Sequence, residues 1–320
     1  MRAIVVNEHG GPEVLRPEEV PDPRPGAGQV LVDVAATGVN FVETYLRSGH
    51  YPSKPPYTPG GEAAGTVAEV GEGVTGLSPG DVVVTTNAHG AYAEKTLVDA
   101  DRAVRVPDGL DARQAAAALL QGMTAHYLVH STYEVKPGDT VLVHAAAGGM
   151  GLLLTQLIKL RGGRVIGTVS TAEKERLARD AGADEVLGYD EVPDGVRGLT
   201  GGEGVPVVYD GVGATTFDGS LAALRPRGIL VLYGAASGPV PPFDPARLQA
   251  TGSTYLTRPT LVNYIATRED LAWRATDVLG WVASGDLRLH IGREYPLADA
   301  RTAHEDLQGR RTTGKLLLIP

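Results

Sequence analysis

The sequence contains no cysteine. That absence excludes disulfides, thiolate nucleophiles and cysteine-ligated zinc together. No apolar run is long enough to span a bilayer. The opening residues, MRAIVVNEHGGPEV, hold a short apolar stretch with no small-residue cleavage site, so no signal peptide is read and a cytoplasmic location is expected. Positive charge is also in deficit: 29 Lys and Arg against 38 Asp and Glu leave a net charge of -9. A nucleic-acid or anionic-membrane surface is disfavoured, although a local basic patch around one phosphate is not. Internal repeats and low-complexity linkers are missing as well. What remains is 320 residues, enough for two cores, with the glycine-rich make-up of a loop-rich α/β enzyme.

The most informative stretch is TVLVHAAAGGMGLLLTQLIK, Thr140 to Lys159. Thr140–His144 is a β-branched run suited to a buried parallel strand, and Leu152–Lys159 has the apolar density of a buried helix. Gly148, Gly149 and Gly151 lie between them, where close backbone approach lets a diphosphate rest on the amides of a helix N-terminus. Against the dinucleotide fingerprint G-x-G-x-x-G the alignment is Ala146-x-Gly148-x-x-Gly151, with alanine at the first position. A second strand, Arg164–Val169, precedes a helix from Ala172 to Asp180, with Ser170 and Glu173 at capping-box spacing. An NAD site places an acid near this strand end to bind both ribose hydroxyls; Thr168-Val169-Ser170-Thr171 has none. Lys174 instead stands in the first helical turn, so NADPH is expected over NADH, with Ser170 and Lys174 toward the 2′-phosphate. The alternative is that Lys174 is a solvated surface lysine.

Strands at Glu185–Leu187, Val205–Asp210 and Ile229–Tyr233 continue the alternation of a doubly wound parallel sheet. The small-residue turns Asp210–Gly213 and Gly234–Gly238 fall at strand ends on the edge where a dinucleotide lies. The first 120 or so residues look different. Arg2–Val6, Val30–Ala35, Gly65–Val70 and Asp81–Thr85 alternate between Gly and Pro turns, as in a small antiparallel, barrel-like domain. Gly38 to Tyr45, with Arg47, Tyr51 and Pro52, crowds polar and aromatic groups into one stretch, which is either a surface loop packed by its tyrosines or a wall facing a flat ring. Near the end, a helical pattern is expected around Tyr264–Val282, and a short helix starting at Glu294–Ala300 and ending near Gln308. Gly314–Pro320 reads as a strand returning to the first domain, which makes that domain discontinuous.

Histidines offer little for metal binding. His126 and His130 have the i, i+4 spacing of two ligands on one helix face but no third ligand, so ordinary helix packing or surface exposure is expected of them. His144, at a strand end, is expected to be a buried, hydrogen-bonded imidazole rather than a general base.

Gly10-Gly11-Pro12-Glu13-Val14-Leu15, Gly38-Val39-Asn40-Phe41, Thr44-Tyr45, Arg47-Ser48-Gly49, Tyr51-Pro52, the turn His144–Gly151, Tyr255-Leu256-Thr257-Arg258-Pro259 and the Leu317–Pro320 ending together carry a resemblance. From Met1 to Pro320 the chain resembles the zeta-crystallin-type quinone oxidoreductases, in the zinc-independent branch of the medium-chain dehydrogenase/reductase superfamily. The resemblance implies an α/β protein with a Rossmann nucleotide domain, about residues 121–255, and a discontinuous β-rich GroES-like catalytic domain, about 1–120 and 256–320. Zinc-dependent relatives carry a Gly-His-Glu stretch; here Gly60-Gly61-Glu62 puts glycine in place of the histidine, so no metal is expected.

Carried over by resemblance, the NADPH contacts fall on Ala147, Gly148, Gly149, Met150 and Gly151, on Thr168, Ser170, Lys174 and Tyr189, and on Val212, Gly234 and Ala235. Asn40, Tyr45, Thr124 and Arg310 complete the set, with Arg311 able to exchange roles with Arg310. The implied activity is hydride delivery from NADPH to a quinone in a cleft between the domains. Asn40 would orient cofactor or substrate, Tyr45 and Tyr51 would flank the ring, and Arg258 would stabilise negative charge on the quinone oxygen. An enal or enone reductase is the alternative enzyme, and a non-catalytic NADPH- or RNA-binding protein is the alternative from another class. A homodimer formed through the nucleotide domains is also implied, with Gly252–Thr257 as the pairing edge.

Overall fold

The computed structural model describes all 320 residues, which divide into two compact units, Met1–Met123 with Thr267–Pro320, and Thr124–Ala266. In the first unit β1 (Arg2–Val6) pairs antiparallel with β2 (Leu15–Glu19). The eleven-residue β3 (Gln29–Val39) is followed directly by α1 (Phe41–Arg47), then by β4 (Ala63–Val70), β5 (Val82–Thr85), β6 (Lys95–Asp99) and β7 (Val104–Arg105). Strand β3 is antiparallel to both β4 and β6, and Val30, Val32, Val67, Val83 and Val98 form a core beneath them. The alternating, β-branched strands read from the sequence are thus present in an antiparallel sheet. Helix α2 (Ala112–Tyr127) follows and contains the division at Met123; its pattern loosens into a π-helical turn at Leu128–Thr132.

The second unit is a six-stranded parallel sheet. Its elements are β8 (Thr140–Val143), α3 (Gly149–Leu160), β9 (Arg164–Thr168), α4 (Ala172–Asp180), β10 (Glu185–Leu187), α5 (Asp194–Leu199), β11 (Val205–Asp210), α6 (Phe217–Ala223), β12 (Leu224–Leu232), α7 (Ala246–Ala250), β13 (Tyr255–Thr257) and α8 (Leu261–Tyr264). Strand order is β10-β9-β8-β11-β12-β13, so the chain winds one way from β8 and the other way from β11. In open α/β sheets the place of such a reversal, here at the carboxyl ends of β8 and β11, is where ligands bind. Every residue of β11 is buried, as expected of a strand with helices on both faces.

The chain returns to the first unit through α9 (Arg268–Ser284), which Thr267 caps by accepting the Asp270 amide at 3.0 Å and which Gly285 ends in a left-handed conformation. It is followed by β14 (Ile291–Pro296), α10 (Ala300–Gln308) and β15 (Lys315–Ile319). Strand β15 lies antiparallel to β3, so the first unit is discontinuous in sequence. Three expectations are corrected here. The helical pattern around Tyr264–Val282 is two helices, broken at the Thr267 cap. Glu294–Pro296 belong to a strand rather than to a helix start, because Arg293, Glu294 and Tyr295 pair with Leu316, Leu317 and Leu318. The return to the first unit comes at Thr267, and Tyr255–Thr257 pairs with β12 as the last strand of the parallel sheet.

Candidate functional site

Within the second unit, the turn from β8 into α3 is shaped by small residues. Ala145 takes a left-handed φ of 52°, and Gly148 begins α3 in an extended conformation with no side chain capping the helix. The first amides of an α-helix have no intrahelical acceptor, so those of Gly149, Met150 and Gly151 offer partial positive charge to an anion. A Cβ on Gly151 would stand 2.3 Å from the Ala145 carbonyl oxygen and 2.6 Å from Ala146 Cα, so only glycine lets the helix approach this closely. The departure at the first fingerprint position has a structural answer. Ala146 is fully buried, and its methyl occupies space left by Gly167 of β9, whose own Cβ would lie 2.7 Å from it.

Beneath the elbow, a buried chain of hydrogen bonds ties three strand ends together. The Asp210 carboxylate takes the Val212 and Gly213 amides on Oδ1, at 2.8 and 3.0 Å, and the Thr216 and Ser220 hydroxyls on Oδ2, at 2.8 and 2.7 Å. Because Ser220 donates to Asp210, its oxygen accepts from His144 Nε2 at 3.0 Å, which places the proton on that nitrogen. His144 Nδ1 is then the acceptor for the Thr168 hydroxyl at 2.9 Å, and the Thr168 oxygen accepts the Ala145 amide at 3.3 Å. Burial holds the His144 pKa below its ordinary value, in keeping with a neutral ring. His144 is therefore the buried, hydrogen-bonded imidazole expected of it, and the Thr168 hydroxyl links that ring to the elbow. Asp210, Thr216 and Ser220 were missed, since their partners lie 10 to 76 residues away or across a turn of ordinary composition.

At the end of β9 no acid is present. Ser170 is exposed and Lys174 half-buried in the first turn of α4. The cap of α4 is Thr171, whose oxygen accepts the Lys174 amide at 3.2 Å, and not Ser170 as the capping-box spacing suggested. The helix starts at Ala172, so Thr171 occupies the cap position and the Ser170 hydroxyl lies outside it. Tyr189 lies nearly parallel to His144 at 6.0 Å between ring centroids. Val212 is buried on its turn, and Gly234 passes so close to Gly211 that a Cβ would lie 2.4 Å from that residue's carbonyl oxygen, with Ala235 next to it. Thr124, the first residue of the second unit, sits on α2. Arg258, one residue beyond β13, gives one N–H to the Leu232 carbonyl at 3.0 Å.

In the first unit Asn40, buried between β3 and α1, is held at both ends of its carboxamide. Oδ1 accepts from Lys315 Nζ at 2.8 Å, and Nδ2 donates to Glu62 Oε2 at 3.0 Å. Lys315 and Glu62 form a buried ion pair at 2.5 Å. Glu43, also buried, accepts the Asn40 amide at 2.9 Å; burial pushes its pKa up to about 7, against the pull of Lys315. Arg47, at the end of α1, is buried with its guanidinium donating to His304 Nδ1 and Gln308 Oε1, each at 2.9 Å. Burial, then the Arg47 charge, lowers the His304 pKa to about 3, so the ring stays neutral and gives its Nε2 hydrogen to the Tyr92 hydroxyl at 3.0 Å. Tyr45 and Tyr51 are half-buried neighbours with centroids 5.1 Å apart, and Tyr51 stacks on His50 at 5.4 Å. Arg310 follows α10 with a φ of 55°, while the Arg311 guanidinium is paired with Asp306 at 2.8 Å. Glu62 and Lys315 were invisible as site residues because only folding brings them to Asn40.

Without cysteine, no three of His, Asp and Glu come together as a group able to hold a metal ion, and His126 and His130 stack on each other at 4.1 Å.

Residues 26–108 match the alcohol dehydrogenase GroES-like domain, and residues 181–318 match a family described as zinc-binding dehydrogenase, a description the donor set here does not fit. The chain is 45% identical to the quinone oxidoreductase of Salmonella typhimurium, over 99% of each chain. It is 42% identical to a 2-haloacrylate reductase from a Burkholderia species, over 99% of this chain and 98% of the other. A mycobacterial protein solved in complex with NADPH superposes with a TM-score of 0.98 at 54% identity, covering all of both chains. With full-length likeness at these identities, the two-unit fold and the glycine elbow place the chain in the quinone oxidoreductase family of the medium-chain dehydrogenase/reductase superfamily, among the oxidoreductases.

Proposed function

We propose that this protein is an NADPH-dependent quinone reductase that works without a metal ion. The observation that carries the reading is the uncapped amino end of α3 at the sheet's reversal, beside a strand end that offers Ser170 and Lys174 in place of an acid. The likeness to a mycobacterial protein complexed with NADPH supports it. In this reading residues 147–151 take the diphosphate, and Lys174, with Ser170 and Arg310, takes the 2′-phosphate. Thr168 and Tyr189 line the adenosine side, and Thr124, Val212, Gly234 and Ala235 the nicotinamide side. NADPH supplies a hydride when bound; with one proton from solvent, a quinone becomes a hydroquinone and NADP⁺ is left. The chain's own residues bind, orient and exclude water. Asn40 presents an amide hydrogen to an oxygen gaining negative charge, Tyr45 and Tyr51 flank the acceptor ring, and Arg258 adds positive charge.

A second reading is reduction of a conjugated C=C bond, favoured by the likeness to a 2-haloacrylate reductase. NADPH oxidation followed at 340 nm with 1,2-naphthoquinone, 2-chloroacrylate and an unsaturated aldehyde in parallel separates the two. Turnover of the alkenes alone overturns the quinone assignment. The reading includes a homodimer built along β13, an edge strand whose Tyr255 is exposed; a monomer-sized peak on gel filtration overturns that part.

A further inference from the structure

Lys315 opens β15 and is as buried as the hydrophobic core around it, with a relative exposure of 3%. Its ammonium faces Glu62 Oε2 at 2.5 Å and Asn40 Oδ1 at 2.8 Å, and Asn40 Nδ2 faces the same Glu62 oxygen at 3.0 Å. Gly38 of β3 leaves the room for this: a Cβ there would stand 2.0 Å from Glu62 Oε2 and 2.8 Å from Lys315 Nζ. The other Glu62 oxygen takes the Leu120 amide at 2.6 Å, and the Thr37 hydroxyl donates to the Glu62 carbonyl at 2.6 Å. Glu43 holds the Asn40 backbone amide at 2.9 Å.

The orientation of the Asn40 carboxamide follows from donor and acceptor chemistry. An ammonium only donates and a carboxylate only accepts, so Oδ1 must face Lys315 and Nδ2 must face Glu62. One Nδ2 hydrogen remains beyond the bond to Glu62. Glu62 and Lys315 are partners in a buried ion pair, and a charge in a dry core needs such a partner. Remove the ammonium and Oδ1 loses its donor, leaving the single Nδ2 bond to Glu62 to hold the carboxamide where two bonds held it before. The titratable groups facing Glu62 are Lys315 of β15 and Glu43 of α1, with the Tyr92 hydroxyl farther away.

We infer that Lys315 is a positioning residue for the reductase reaction: with Glu62, it turns Asn40 so that an N–H, and not the carbonyl oxygen, is offered to the acceptor's oxygen. The inference rests on the reductase reading above. Its test compares the unaltered chain with Lys315→Met and with Lys315→Met/Glu62→Gln, in which the buried pair is neutral. Lys315→Met is expected to lower kcat with 1,2-naphthoquinone about 10- to 100-fold and to leave the NADPH Kd from fluorescence quenching within about twofold. The double variant is expected to recover the melting temperature but not kcat, because two neutral amides do not dictate the flip. Recovery of kcat together with melting temperature, or wild-type kcat in folded Lys315→Met, overturns the inference by showing a purely structural role. Failure of both variants to fold overturns it too. If the unaltered chain fails to oxidise NADPH with every acceptor tried, the quinone, 2-chloroacrylate and the unsaturated aldehyde, the reductase reading itself falls; retained turnover in the folded variants sinks only Lys315.

Discussion

Glu43 supplies the sharpest prediction, because its charge state couples the first unit's stability to pH. It is 1% exposed, accepts the Asn40 amide at 2.9 Å, and shares its surroundings with Glu62, Lys315 and Tyr92. One ammonium serves two carboxyl groups there, and Glu62 already has it at 2.5 Å. Burial therefore raises the Glu43 pKa from the ordinary 4.5 to about 7. A carboxyl whose folded pKa is raised binds its proton more tightly in the native state. Its favourable contribution is full below pH 4.5, declines as the unfolded chain ionises, and is lost once pH passes about 7. A shift of this size corresponds to about 3 kcal/mol over that window.

Glu43→Gln cannot ionise. Its amide oxygen keeps the bond from Asn40, and its NH2 group faces the Gly61 amide, where the present contact is a long 3.5 Å. A cost of about 1 kcal/mol is expected at pH 5, turning into a gain of about 2 kcal/mol at pH 8. Urea unfolding of both proteins at pH 5, 6, 7 and 8 checks this. Contributions such as that of His304, whose pKa is depressed to about 3, cancel in the difference. Parallel stability curves, with the difference constant from pH 5 to 8, would refute the reasoning.

Three further outcomes follow from the second unit. Gly167→Ala should destabilise by about 1–3 kcal/mol because two methyls would overlap, and adding Ala146→Gly should restore stability; a double variant no better than the single one denies that contact. Ser220→Ala strands the His144 Nε2 hydrogen and removes one of four donors to Asp210, for about 1–3 kcal/mol in unfolding free energy, and an unchanged melting curve contradicts the assigned chain. Lys174→Glu should raise the KM for NADPH about tenfold or more while leaving NADH nearly unaffected; an unchanged preference removes Lys174 from the 2′-phosphate.

The primary sequence determined the parts of this protein that depend on near neighbours in the chain. Buried strands read as β-branched runs, the elbow as glycines at fixed offsets, and the missing acid after β9 as a composition of four residues. Helix α4 begins and ends where its periodicity said, while its cap moved by one residue because Ser and Thr are equivalent acceptors and only backbone geometry chooses between them. Tertiary structure decided what lies far apart in sequence. Lys315 meets Asn40 across 275 residues, Gly167 clears space for Ala146, and His144 joins Thr168 to Ser220. Periodicity and turn chemistry act within a few residues, whereas a buried polar group finds its partner only when separate strands and helices have closed around it, and then it must.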